Sequence, residues 1–452
     1  MEPAEQSRPP ATEAGCTGRL GPDDPAVLQH EPRNLALLAA HQIIFRVGWI
    51  FKTESVLIPA FVDWLAGPGA GVLRGMLPVL NRAGQSLPPV FLADWLRGQR
   101  LKRRSLMLFT AGMGLAFAPL PVICMLTHVQ HLPLMPWFFL ALYGLFFLCN
   151  GMYHLSFGTV QGKLIRPRRR GRLLLISTFY GSVPAMLAAW WLLPAWLEQP
   201  DPGFAYIFLA AVICFLISSV LALWLSEPPD PSGAPLPCWR GHVTAMLATL
   251  RDDANLRRTT IVAMLFSAGL IILPHYQALA LGPMQMPMSI LMVFAVTQNA
   301  AVGIFSLFVG PMADRWGNRL TLGVLILGSA VPPVLAVTLA QLGPSWAART
   351  YWIVYCPLGI TPLVLRILVN YTLEICAPAR HPRYLSTVNL WLSVPFLCSP
   401  LVGWLIDLVG FVPIFLVTAV IMTLGGLMTF TLDEPRHRLP GDAQALLIDG
   451  EG

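Results

Sequence analysis

The most constraining feature of the sequence is a series of long apolar stretches separated by short polar loops. A helix needs about 20 mostly apolar residues to cross a bilayer, because backbone amides in lipid are satisfied only within the helix. Only 12% of the 452 residues are charged, whereas soluble domains carry roughly a quarter. The sequence therefore predicts an all-α membrane protein with twelve transmembrane helices. These lie at 35–60, 70–96, 105–127, 134–160, 173–197, 203–226, 258–281, 287–312, 320–341, 347–375, 385–408 and 411–432.

The basic residues concentrate on one side of this predicted array. Nineteen of the thirty Lys and Arg residues fall in the five loops that follow even-numbered helices, and the opposite loops contain few. Cytoplasmic loops of membrane proteins carry such an excess, so both termini are predicted in the cytoplasm of a multi-pass cell-membrane protein. The net charge of +7 is thus explained by topology, and we expect no nucleic-acid partner.

The longest loop, residues 227–257, divides the chain into two parts. It begins with a Pro-rich polar run, Glu-Pro-Pro-Asp-Pro-Ser-Gly-Ala-Pro, and continues as an amphipathic segment. We predict that it is a cytoplasmic linker between two six-helix bundles at 34–226 and 258–433. Residues 1–33 are predicted to be a disordered cytoplasmic tail, and residues 434–452 a second cytoplasmic tail.

The two parts share an ordered series of matching residues. The first matches are 220 residues apart, and a later match is offset by 211 residues because one basic loop is longer in the first part. A constant offset indicates an internal duplication, which is common in secondary transporters. The matched pairs are Asp94 with Asp314, Asn150 with Asn370, and Arg172 with Arg383.

A charged turn between the eighth and ninth predicted helices carries a family resemblance. Gly310, Asp314, Arg315, Gly317 and Arg319 match the motif G-x-x-x-D-R-x-G-R-R of the major facilitator superfamily. The corresponding turn in the first part keeps only the aspartate and trailing basic residues. The resemblance implies two pseudo-symmetric six-helix bundles that expose a central site alternately to each face.

The aspartates of both turns are predicted to latch the cytoplasmic side of the protein. A carboxylate there can contact a helix N-terminus or an arginine of the other bundle, and this contact must break when the cytoplasmic side opens. The alternative is a tight turn in which the aspartate only caps a helix. A Glu-then-Pro-then-Arg segment after the tenth helix resembles the superfamily pattern and is included in the latch. The predicted latch residues are Asp94, Asp314, Arg315, Arg319, Glu374 and Arg383.

Several polar residues lie deep within the predicted spans. An ionisable side chain in mid-bilayer costs at least about 2.5–3.5 kcal/mol, so each requires a partner or a function. In the superfamily fold, helices one, four, seven and ten line the central cavity, and most of these residues belong to those four helices. The predicted substrate-binding residues are Arg46, Arg82, Asn150, His154, His275, Gln277, Gln298, Asn299, Arg366 and Asn370.

The charges near the middle of the spans are mostly positive. Arg46, Lys52, Arg82 and Arg366 outnumber the acidic residue Glu54. We therefore expect an anionic solute, since the arginine fork can bind a carboxylate or phosphate through two hydrogen bonds. The alternative is that the arginines pair within the protein and hold the helices together.

Coupling to a proton gradient requires a group whose charge can change. Glu54 is the only acid well inside a predicted span, and His154 and His275 titrate near physiological pH. These three residues are therefore the predicted proton-coupling groups. The alternative for Glu54 is a fixed salt bridge with Lys52 or Arg46.

The sequence does not favour an enzyme. It contains no metal-ligand spacing, no phosphate-binding P-loop and no nucleophile–base pattern, and its eight cysteines are scattered. We predict no cofactor and no metal. The expected function is secondary active transport of a small solute by a monomer in the lipid bilayer, with protons as a second partner. The alternative is a transporter-like sensor or a lipid flippase.

Overall fold

The computed structural model describes most of the chain, and its regular structure in this part consists of helices. The residues described are 22, 24–67, 69–126, 132–230, 239–376 and 380–434. The predicted tails and the central part of the predicted linker therefore lie largely outside the described residues.

The first part of the chain forms one bundle of helices. A π-helical turn, Ile176–Tyr180, joins two of its helices. The helices are α1 Pro25–Leu28, α2 Glu31–Ile50, α3 Leu57–Ala66, α4 Gly71–Gly98, α5 Lys102–Phe117, α6 Pro119–Leu126, α7 Met135–Leu164, α8 Pro167–Leu175, α9 Gly181–Leu197 and α10 Pro200–Leu223.

The second part forms a similar bundle after a helix in the predicted linker, α11 Trp239–Asp252. Short 3-10 turns continue three of its helices, at Tyr351–Val354, Val394–Cys398 and Thr429–Thr431. The helices are α12 Ala254–Ile271, α13 Leu273–Leu281, α14 Ile290–Trp316, α15 Asn318–Ser329, α16 Val331–Gln341, α17 Pro344–Thr350, α18 Tyr355–Leu358, α19 Thr361–Glu374, α20 His381–Ser393, α21 Ser399–Val409 and α22 Phe411–Met428.

Described helices occupy each of the twelve predicted spans. Within the described residues, nine helical segments are long and apolar enough to cross a membrane, and the apolar helices α3 and α9 are shorter. Several spans consist of consecutive helices, such as α5 with α6 and α15 with α16. The predicted fold class, an all-α membrane protein, is confirmed.

The first span is interrupted where its charged residues lie. Helix α2 ends at Ile50 and α3 begins at Leu57, so Lys52 and Glu54 occupy the break. The seventh span is also divided, between α12 and α13, where Pro274 stands near the start of α13. Proline lacks a backbone N–H and cannot continue the hydrogen-bond pattern of the preceding helix. The sequence analysis predicted each of these spans as a single stretch.

An aromatic cluster holds the outer half of the first bundle together. The outer ends of the helices are those opposite the basic loops. Phe61 of α3 lies 4.9 Å from Phe139, 4.9 Å from Phe204 and 4.8 Å from Phe208 between ring centroids. Such aromatic pairs stabilise a core by about 0.5–1.5 kcal/mol beyond the area they bury. The short helix α3 is therefore fixed against α7 and α10.

The first residues of the predicted linker are bound to the first bundle. Lys163 at the end of α7 pairs with Glu227 at 2.9 Å and with Asp230 at 2.8 Å, and all three side chains are buried. Glu227 also accepts backbone hydrogen bonds from Lys102 and Arg103 at the start of α5, at 2.9 and 2.7 Å. The chain therefore remains part of the first bundle up to Asp230.

The two bundles meet most closely at the outer ends of α4 and α21. A Cβ atom added to Gly403 would lie 1.9 Å from the carbonyl oxygen of Gly71, and one added to Gly75 would lie 2.4 Å from that of Ser399. The helix backbones are thus in direct contact, as in other membrane helices that pack through small residues. This contact closes the outer side between the two bundles.

We predict that Gly403→Ala destabilises the protein by about 1–3 kcal/mol, because the added methyl group overpacks the contact. The matched control is Gly303→Ala, since no atom lies within 4 Å of a Cβ added there. The control should keep or slightly increase stability, because alanine favours a helix. Thermal unfolding of both variants in detergent measures the difference. Equal stability of the two would contradict the closed contact.

Candidate functional site

A cavity lies between the two bundles near the middle of the helices. Its volume is about 150 Å³. The first bundle contributes mainly polar residues, and the second contributes mainly apolar ones. The lining residues include Glu54, Asn81, Arg82, Gln85 and Tyr143 from the first bundle and Leu270, Pro274, Leu365 and Phe396 from the second. A cavity that both bundles line is suited to a solute whose access changes as the bundles move.

The break between α2 and α3 supplies an ion pair to this cavity. The fully buried Lys52 donates to Glu54 over 2.6 Å, and its Nζ lies 3.0 Å from the centroid of the Trp49 ring. The other carboxylate oxygen of Glu54 accepts a hydrogen bond from Asn81, which in turn accepts one from Gln85 at 2.6 Å. Both oxygens of Glu54 are therefore held, as expected for a fixed salt bridge.

Arg46 and Arg366 are two arginines of different bundles that lie within electrostatic range of each other. Arg46 of α2 and Arg366 of α19 are close enough to interact electrostatically, although they are 320 residues apart. The Nε of Arg46 is buried and has no hydrogen-bond partner in the described part of the chain. Within the same residues, neither guanidinium has a carboxylate partner. Two positive charges without a carboxylate partner among the described residues thus lie within electrostatic range of each other, and neither arginine is among the residues that line the cavity.

Arg82, the third predicted arginine, bonds to the other bundle in this conformation. Its Nε donates to the Ser393 hydroxyl at 3.0 Å, and its Nη2 donates to the Asn389 side chain at 3.2 Å. The neighbouring Ser86 lies 3.4 Å from the same hydroxyl. These contacts match the alternative of internal pairing, because they join α4 to α20.

The predicted residues of α7 and α19 differ in their surroundings. Asn150 is fully buried, and neither of its side-chain polar atoms has a partner among the described residues. His154 is exposed and packs edge-on against Tyr153, with ring centroids 5.2 Å apart. Asn370 is exposed, one helical turn after Arg366. His154 and Asn370 are therefore accessible in this conformation, and Asn150 is not.

The two predicted residues of α14 have different partners. Gln298 accepts a hydrogen bond of 2.5 Å from Ser55, which lies in the break of the first span. Asn299 donates to the carbonyl of Ala295 in its own helix at 2.9 Å. Gln298 therefore joins the two bundles, whereas Asn299 bonds locally.

A charged cluster lies at the outer end of the interface and was missed by the sequence analysis. Arg74 of α4 forms ion pairs with Asp63 of α3 and, at 3.3 Å, with Asp407 of α21. Asp407 also accepts a 2.8 Å hydrogen bond from the backbone N–H of Gly71. Their contact forms only on folding, because Asp407 lies 333 residues from Arg74.

His275 and Gln277 extend this cluster from α13. Both side chains are fully buried. Gln277 donates to the second oxygen of Asp63 at 2.8 Å, and Nδ1 of His275 accepts a 3.4 Å hydrogen bond from Arg74. We call Asp63, Arg74, His275, Gln277 and Asp407 the outer cluster. The structure thus places these two predicted substrate-binding residues in a contact between the bundles.

The predicted latch residues lie at the ends of helices near the basic loops. Asp314 and Arg315 are exposed at the end of α14, and Arg383 is exposed in α20. Asp94 belongs to α4, but its side chain lies outside the described part of the structure. Gly317, between α14 and α15, has a φ of +88°, a conformation that glycine adopts without a steric penalty.

The other latch residues pair differently from the expectation. Glu374 accepts a 2.6 Å hydrogen bond from Asn318, not from Arg319 or Arg383. Arg319 instead pairs with Glu434 at 3.3 Å and donates to the carbonyl of Leu432. These contacts fix the turn after α14 to the end of α19 and to the chain that follows α22.

Comparison with known proteins finds a family pattern in the second half of the chain. Residues 259–448 match the family model described as Major Facilitator Superfamily. No curated protein matches the chain in sequence.

Several solved structures share the fold at low sequence identity. One, on substrate recognition in proton dependent oligopeptide transporters, has a TM-score of 0.63 and 12% identity and covers 88% of this chain and 98% of that chain. The nucleoside transporter NupG has a TM-score of 0.61 and 13% identity over 91% and 100% of the chains. A POT family transporter in complex with 5-aminolevulinic acid has a TM-score of 0.60 and 12% identity over 88% and 96%.

The family match and the structural likenesses agree with each other. They confirm the predicted fold, that of a multi-pass helical membrane protein. The chain thus has the Major Facilitator Superfamily sequence pattern in its second half and, along most of its length, a fold similar to that of solved transporters.

Proposed function

We propose that the protein transports a small anionic solute by alternating access, with Arg46 and Arg366 as its binding groups. The supporting observation is that the two guanidinium groups, one from each bundle, have no carboxylate partner in the described structure, and that the buried Nε of Arg46 has no hydrogen-bond partner there. Unpaired charges at this depth are costly and typically mark a solute pathway. A negatively charged solute would supply the missing partner.

The chemistry of arginine defines the proposed ligand further. Each guanidinium presents a planar fork of donors that binds carboxylate or phosphate oxygens in pairs. One arginine comes from each bundle, and the two repel each other. A bound anion would attract both arginines and would therefore join the bundles. One superfamily neighbour is a POT family transporter in complex with 5-aminolevulinic acid, a solute that itself carries a carboxyl group.

The contacts between the bundles support movement about this site. Close helix packing and the outer cluster hold the outer side closed through Gly71, Gly403 and Arg74. On the side of the basic loops, the polar residues Arg366 and Asn370 of α19 are exposed. Opening of the outer side requires Arg74 to separate from Asp407. The described conformation thus fits the state in which the cavity opens toward the basic loops.

The proton-coupling role of Glu54 stays a prediction. The contacts of Glu54 with Lys52 and Asn81 favour its alternative, the fixed salt bridge. Proton dependence of the oligopeptide transporters among the neighbours supports proton coupling in general, without indicating which residue performs it here. We therefore retain proton-coupled transport as part of the proposed function, and the ion pair is the alternative that the contacts of Glu54 favour.

We predict that an anionic compound stabilises the purified protein in a thermal-shift screen of organic acids, phosphorylated metabolites and neutral analogues. A ligand at 100 times its Kd adds about 2.7 kcal/mol of stability. Arg366→Gln should weaken binding at least about tenfold, because a lost charge-assisted hydrogen bond contributes roughly 1.5–3 kcal/mol. The matched control is Arg349→Gln, which removes an exposed arginine at the outer side.

The control should bind like the parent protein. Unchanged affinity in Arg366→Gln and Arg46→Gln, or a preference for neutral compounds, would contradict the anion site. Uptake of the labelled compound into vesicles then separates a transporter from a sensor, which would bind the compound without net flux. A flippase would move labelled lipid and not the soluble compound.

We predict that Glu54→Gln lowers the free energy of unfolding by roughly 1–3 kcal/mol, below the value for a fully buried pair because Glu54 is 28% exposed. The variant leaves the buried Lys52 ammonium without its carboxylate. The double variant Lys52→Met with Glu54→Gln should recover much of this loss. Denaturation of both variants in detergent measures the coupling, and parental stability of Glu54→Gln alone would argue against a fixed pair.

A further inference from the structure

The outer cluster contains more negative than positive charge. Asp63 and Asp407 share the single guanidinium of Arg74, and the exposed fractions of these side chains are 19%, 26% and 7%. Within the described residues, no other charged side chain forms an ion pair or hydrogen bond with the two carboxylates. When both are ionised, the cluster therefore has a net charge of −1 at the contact between the bundles.

The neighbouring groups do not neutralise this charge. His275 accepts a hydrogen bond from Arg74 through Nδ1, so this nitrogen carries no proton and the ring is neutral. Gln277 of the same helix, α13, and the Gly71 N–H at the start of α4 add neutral donors to Asp63 and Asp407 respectively. The groups that face the carboxylates from α3, α4, α13 and α21 thus include one positive charge.

We propose that the carboxylate pair Asp63–Asp407 is a proton-binding site that takes up one proton from outside water when the outer side closes. The attraction of Arg74 for the second carboxylate is largely offset by repulsion from the first. Desolvation on closure then favours the form in which one carboxyl is protonated and the cluster is neutral. The proton belongs to the pair as a unit, because two closely coupled acids titrate together.

The pair lies on the moving contact itself. Asp63 and Arg74 belong to the first bundle, and Asp407 belongs to the second. Opening of the outer side separates Asp407 from Arg74 and exposes both carboxylates fully to water, which favours their charged forms. Proton uptake is therefore linked to closure, and proton release to opening. The inference rests on the proposed alternating access and assigns the proton to a site apart from Glu54.

Infrared difference spectroscopy tests proton binding without any transported solute. Spectra of the full-length protein in lipid nanodiscs at acidic and neutral pH should contain the C=O band of a buried protonated carboxyl. We expect that Asp63→Asn, Asp407→Asn or both remove this band, because either change neutralises the cluster. Glu54→Gln should retain it. The proposal would be overturned if the parent protein lacked the band. It would also be overturned if the band persisted in both Asn variants or was lost in Glu54→Gln.

Thiol labelling tests the link to closure. Ser399 is fully buried at the backbone contact with Gly75, so a cysteine there becomes accessible when the bundles separate on the outer side. The probe is a membrane-impermeant maleimide applied to Ser399→Cys in a Cys398→Ser background. The labelling rate of Ser399→Cys is divided by the labelling rate of Leu342→Cys, an exposed position, because the ratio removes the intrinsic pH dependence of thiol reactivity.

Acidification should slow the normalised labelling of Ser399→Cys. The expected decrease is up to about tenfold for each unit by which the pKa of the carboxylate pair differs between the open and closed states. Adding Asp407→Asn should make the rate pH-independent. The link between proton uptake and closure would be overturned if the labelling rate without Asp407→Asn stayed constant or rose on acidification. It would also be overturned if the rate with Asp407→Asn kept its pH dependence. Neither experiment involves a solute, so failure of the anion site would leave both results interpretable.

Discussion

Charge burial governs how this molecule is assembled. A bilayer allows backbone only as closed helices, and an ion within it must find a partner or a polar surface. Lys52 and Glu54 satisfy each other at a break in the first span, and Arg74 is shared by two aspartates at the outer contact. The principal exceptions, Arg46 and Arg366, remain between the bundles. The placement of the charges therefore separates structural ion pairs from the candidate solute site.

The sequence was sufficient to predict the helical fold, because spanning length and apolar composition leave few alternatives. It also identified Arg366 and Arg46 as unusual, since a charge in an apolar stretch is visible without coordinates. It could not reveal the break between α2 and α3, where side-chain partners replace regular helical geometry. Partners distant in the chain were equally hidden, as with Arg74 and Asp407, which lie 333 residues apart.

The duplication is clearer in the helices than in the polar contacts. Asn150 and Asn370 occupy matching places in the sequence, yet the first is buried and the second exposed. The turn after α14 has a glycine in the left-handed region and is fixed by Glu374 and Asn318, whereas the earlier turn lacks most of the motif. The two bundles thus share architecture but contribute different chemistry to the interface between them.

The anchoring of Glu227 and Asp230 on Lys163 affects the mechanics of the whole molecule. A linker restricts two bodies according to the length of chain between its attachment points, and the first attachment extends here to Asp230, beyond the end of α10. Eight residues separate Asp230 from Trp239, which gives a maximum reach of about 30 Å between the last anchored residue and the next helix. The contact with Lys163 consequently limits how far the start of α11 can lie from the first bundle.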